Sequence, residues 1–115
     1  MIMDWLDANQ STTDAMRSAV ALFEAEIMRA SKFDNRGIAR AAIVLHQALS
    51  NMPLQPPNIP LSSQYNVAIN QMTVVMTDVS AYALAGKDYE MLMAAVEWEA
   101  ARDYYDAWFR SLPRD

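Results

Sequence analysis

Apolar residues recur at helical spacing along almost the whole chain. Met16, Val20, Phe23, Ile27 and Ala30 follow steps of four, three, four and three, which stack them on one side of an α-helix. Leu6 extends the stripe backward across the polar stretch 10–14 (QSTTD). The pattern predicts one long first helix from near Asp4 to Phe33. The competing form is a short N-terminal turn followed by a helix capped by Ser11, Thr12 or Thr13.

Asp34-Asn35-Arg36-Gly37 interrupts the periodicity, with Asp34 or Asn35 as the next cap and Gly37 at the bend. Ile38, Ala42, Leu45, Leu49 and Met52 then predict a second helix, which ends by Asn51 because Pro53 clashes with a continuing turn. Residues 53–60 (PLQPPNIP) hold four of the five prolines and predict an extended, polyproline-like connector. A third helix, capped by Ser62 or Ser63, carries Tyr65, Ile69, Met72, Met76, Val79 and Ala83 inward. Gly86 is placed as its C-terminal cap, and Asp88 as the cap of a fourth helix. The core stripe expected on that helix is Tyr89, Met93, Val96, Ala100 and Tyr104, then Ala107 or Trp108, with a stop near Leu112 before Pro113. Strand-type alternation is nowhere sustained. The expected fold is all-α: a single domain, 1–115, forming a four-helix up-down bundle with a Pro-rich connector between helices two and three.

Composition removes several function classes. No cysteine means no disulfide scaffold, no thiol nucleophile and no cysteine-held metal, and a single histidine leaves no multi-histidine centre. Two glycines are too few for a nucleotide-binding phosphate cradle. The net charge of −5, from 9 basic and 14 acidic residues, argues against direct nucleic-acid binding, which needs clustered cations. No segment approaches the ~20 apolar residues of a membrane span. The N-terminus, with Asp4 and no apolar run, makes a poor signal peptide. A cytoplasmic protein is therefore the default expectation, or an extracytoplasmic domain if a leader or anchor precedes Met1 in a longer protein.

Candidate chemistry is sparse. His46 is preceded at three residues by Ile43, so the Glu-x-x-His motif of di-iron bundles is missing. No orienting acid stands near His46 on its own helix, which reads as a boundary histidine. Glu99, Asp103 and Asp106 share a helical face, but Arg102 and Arg110 lie within a turn of Asp106 and explain them as ion pairs. No catalytic, cofactor or metal site is expected. Nine methionines suit adaptable core filling.

Two features point to binding. The last helix interleaves aromatics with acids, and Trp98, Glu99, Tyr105, Asp106 and Phe109 stand out as a candidate surface for a basic protein partner. From Ala41 to Thr77 there is no Asp, Glu, Lys or Arg. A neutral, amide-rich face can be covered without stranding a charge, so Asn66, Asn70 and Val74 on the third helix are candidate self-association positions, with a homodimer as the expected result. The sequence thus predicts a small acidic, non-enzymatic helical bundle acting by protein–protein binding: a modulator, inhibitor, immunity-type or chaperone-like protein. The alternative is a ligand-binding or sensor bundle.

Overall fold

The computed structural model describes residues 2–28, 35–53 and 59–112. Five helices, and no strand among the described residues, make up the fold: α1 (Ile2–Ala8), α2 (Gln10–Met28), α3 (Asn35–Ser50), α4 (Ile59–Leu84) and α5 (Asp88–Ser111). The molecule is elongated, 46 × 22 × 20 Å.

The first helix of the sequence reading is divided at Asn9. Its backbone N–H is shared between the Trp5 and Leu6 carbonyls, both at 3.2 Å, while its side-chain Nδ2 donates to Trp5 O at 2.8 Å. Thr13 N–H still donates to Asn9 O at 3.0 Å, so the helical ladder bends here without being lost. An asparagine side chain competing for a backbone acceptor supplies the physical cause. Of this helix's predicted extension to Phe33, and of Ala30, residues 29–34 lie outside the described residues.

Gly37 is not at a bend. α3 begins at Asn35 and takes Gly37 into its first turn. Residues 54–58 of the expected connector lie outside the described residues, and the start of α4 is corrected. The helix begins at Ile59, ahead of Ser62 and Ser63, and Pro60 occupies its first turn. Proline is well tolerated there because the first-turn N–H groups have no helical acceptor anyway.

The turn between α4 and α5 matches the expected glycine cap. Gly86 has φ +71°, Lys87 N–H donates to Tyr82 O at 2.9 Å and Gly86 N–H to Ala83 O at 3.2 Å. These are the two reversed bonds of a Schellman motif. Asp88 is not the cap of α5: Lys87 holds that position and makes no capping hydrogen bond through its side chain, while Asp88 and Glu90 sit in the first turn. Acids there face the positive end of the helix dipole. A Cβ added at Gly86 would meet nothing within 4 Å, so Gly86→Ala tests conformation alone. Left-handed backbone should cost alanine about 1–2 kcal/mol of stability in a denaturant titration, and Gly86→Asn less, because asparagine enters that region more readily.

Successive helices pack on one another: α2 on α3, α3 on α4, and most extensively α4 on α5. The core takes Met16 and Phe23 from α2, Ile38, Ala42, Leu45 and Leu49 from α3, and Tyr65, Ile69, Met72, Met76, Val79 and Ala83 from α4. Those stripes are the ones the spacing predicts. α2 and α5 are joined by long side chains. Phe23 meets Trp98 edge-on at 5.6 Å, Arg17 lies over the Phe109 ring at 4.5 Å, and Trp98 Nε1 donates to Glu24 Oε2 at 3.2 Å. Arg102 pairs with the same Glu24 oxygen. At one end α1 adds Trp5 to an aromatic cluster with Tyr65 (5.4 Å) and Trp108 (6.5 Å).

Inside this cluster the Tyr65 hydroxyl is buried and has no hydrogen-bond partner among the described residues. A buried donor without an acceptor carries its full desolvation cost. Tyr65→Phe keeps the ring and removes the orphan, so it should raise thermal stability by about 1 kcal/mol in a calorimetric comparison.

Candidate functional site

α5 carries two apolar stripes, and the structure inverts their expected roles. The buried stripe is Met91, Ala94, Trp98, Ala101, Tyr105, Trp108 and Leu112. The stripe read from the sequence as core faces outward except at its end: Tyr89 is 71% exposed, Val96 61%, Met93 45% and Tyr104 42%, Ala100 and Ala107 are also exposed, and only Trp108, the alternative to Ala107, is buried as expected. The physical reason lies in ring size. Trp98 and Trp108 bring the largest apolar areas on the helix, and turning them inward removes more surface from water than burying Met93, Val96 and Ala100 would.

This correction reaches the predicted partner-binding set. Trp98 and Tyr105 are core residues, at 2% and 4% exposure, and offer no surface ring. Phe109 is half-buried beneath Arg17, and Asp106 is half-buried beside Arg102. Glu99 alone of the five is fully on the surface. The acid–arginine grouping is an internal tie. Arg102 holds Glu24, with Asp103 Oδ1 at 3.4 Å and Asp106 Oδ2 at 3.8 Å. Burial works against the Arg102 charge, but Glu24 and Asp103 outweigh it and hold its pKa above the ordinary value. Glu24, which carries this tie from α2, was not singled out in the sequence; only the fold brings it to α5.

Asn66, Asn70 and Val74 are exposed on α4, as the self-association reading requires, and Val67 is exposed with them. Val75 is buried. Along the outward side of α4, Val67, Asn70, Val74, Thr77, Ala81 and Leu84 continue at steps of three and four. Because α4 and α5 form a hairpin about Gly86, the two outward stripes lie side by side. Between them runs a groove of about 370 Å³ lined by Asn70, Gln71, Val74, Val75, Glu97, Ala100 and Ala101.

Glu97 is on the groove wall, Glu90 stands two turns before it, and Asp78 stands two turns beyond Gln71. Asp78, Glu90, Glu97 and Glu99 form no ion pair among the described residues. α4 contains no Lys or Arg.

A second cleft of about 290 Å³ opens between α2 and α5 and is lined by Met16, Arg17, Val20, Glu24, Met72, Arg102, Tyr105 and Asp106. Its cations are engaged within the chain, Arg102 by carboxylates and Arg17 by the Phe109 ring. His46 is half-buried on α3. Among the described residues, no three His, Asp or Glu side chains gather as metal ligands, and no helix is long and apolar enough to cross a membrane. No family model, curated protein or solved structure matches this chain.

Proposed function

We propose that the chain is a non-enzymatic binding module that holds another protein against the outward face of the α4–α5 hairpin. The observation that carries this reading is the outward stripe of α5. A bundle helix needs one apolar side, and α5 has two, with Tyr89, Met93, Val96 and Tyr104 left uncovered. Contiguous exposed apolar surface of this kind is a mark of interaction sites. Val67, Val74 and Leu84 of α4 widen the strip, since all three are exposed on the adjoining helix. In this reading α2 to α5 form an up-down bundle, with the Pro-rich segment as the connector that returns the chain to the start of α4. The successive packing of α2, α3, α4 and α5 supports that arrangement. A regulatory protein, such as an inhibitor or modulator, is the class such a module suits, because the surface supplies contact area without reactive groups.

The test compares protein capture by the native chain and by Val96→Glu. Val96 is exposed, so the charge should leave melting unchanged while it spoils an apolar contact. A protein retained by the native chain and lost by the folded variant supports the reading. Identical retention by both would place the binding surface elsewhere.

A further inference from the structure

We infer that the occupant of the α4–α5 groove is a single amphipathic helix bearing Lys or Arg beside its apolar stripe; this rests on the binding face proposed above. The shape of the site sets the first half of the inference. Two antiparallel helices leave a groove between their ridges, and a third helix is the element whose side-chain rows fit it. The exposed apolar residues from Val67 to Leu84 span about 26 Å of α4, so roughly five turns of a ligand helix would lie along them.

Charge sets the second half. Glu97 lines the groove, Glu90 on α5 and Asp78 on α4 lie two turns along from its lining, and none of the three is ion-paired among the described residues. On the far side of the α5 stripe stands Glu99, whereas Asp103 is paired with Arg102 at 3.4 Å. Arg102 on that helix is taken up by Glu24. An apolar groove with an unpaired carboxylate on its wall and two more along its length is complementary to a helix that carries cations beside its apolar stripe. A second copy of this chain is a poorer occupant of the groove. It would set Glu97 and Asp78 against acids of the same sign, in a protein already at −5.

The experiment titrates the full chain with two labelled helical peptides of about 18 residues. They share one Leu/Ala stripe and differ only in carrying Lys or Glu on both flanks. Fluorescence anisotropy is read at about 50 and 300 mM salt. The Lys peptide should bind at least about tenfold more tightly than the Glu peptide, and the gap should narrow at high salt. Val74→Asn with Val96→Asn should weaken the Lys peptide about tenfold by removing apolar contact. Glu97→Lys should shift preference toward the Glu peptide. Equal binding of both peptides, insensitive to salt, overturns the cationic occupant and leaves the binding face standing. So does sedimentation showing a dimer that Val74→Asn dissociates, because the occupant is then a second copy. If neither peptide binds, the chain sediments as a monomer and Val96→Glu retains the same proteins as the native chain, then both the occupant and the face are wrong.

Discussion

Trp108→Ala should lower the unfolding free energy by about 3–5 kcal/mol, a large part of the ~5–15 kcal/mol that holds a domain of this size. Trp108 is 2% exposed and joins both ends of the chain. Its ring centre lies 4.8 Å from Tyr65 on α4, 5.4 Å from Tyr105 on its own helix and 6.5 Å from Trp5 on α1. Truncation would remove the transfer energy of the indole and leave a cavity that three neighbouring rings cannot close without leaving their rotamers. The comparison is Val96→Ala on the outward stripe of the same helix, expected to cost under about 0.5 kcal/mol because Val96 is exposed. Urea unfolding of the two variants beside the native chain checks the phase of α5. A larger loss for Val96→Ala than for Trp108→Ala would mean that the helix is turned the other way round.

That phase is where the sequence was hardest to read. α3 and α4 each have one strong 4-3 stripe, and Ile38–Leu49 and Tyr65–Ala83 could be assigned inward from spacing alone. α5 has two such stripes about a third of a turn or more apart. Periodicity establishes that a helix is amphipathic, and it carries no sign saying which of two apolar sides meets the core. Side-chain size was the available signal, because two tryptophans on one stripe outweigh the smaller residues on the other. The same error displaced the candidate site. Trp98 and Tyr105 read as surface aromatics only while Met93 and Val96 occupied the core. The self-association positions Asn66, Asn70 and Val74 came out exposed because α4's inward stripe was phased correctly and they fall opposite it.

Other features depend on pairs that spacing cannot see. Glu24 accepts from Trp98 and Arg102 across 74 and 78 positions of sequence, so nothing local marks it. Gly86 was legible because a left-handed cap between two helical stripes needs glycine, and its φ is +71°. Pro60 misled the placement of the helix start: a proline-rich run suggests extended chain, yet its last member is a good first-turn residue.

Alkaline pH should unfold the protein well before its exposed tyrosines would account for it. Tyr65 and Tyr105 are core residues at 0% and 4% exposure. Burial raises the Tyr105 hydroxyl to about 12 from 10.0; Arg17 opposes the rise and Asp106 adds to it. Burial, followed by Tyr105 itself, raises Tyr65 further still. In the unfolded chain both titrate near 10. Below pH 10 the two states bind the same protons at these positions, so their contribution is complete and level. Above pH 10 the unfolded state releases protons that the folded state keeps, and stability falls with rising pH. Each tyrosine contributes a slope of up to about 1.4 kcal/mol per pH unit, continuing for Tyr105 until about pH 12. Together they should remove on the order of 3 kcal/mol by about pH 11. Tyr65→Phe should roughly halve that slope, whereas Tyr104→Phe, at an exposed position, should leave it unchanged. Denaturant midpoints measured from pH 8 to 11 decide the matter. Identical slopes for the native chain and Tyr65→Phe would show that the Tyr65 hydroxyl is not held neutral by the core.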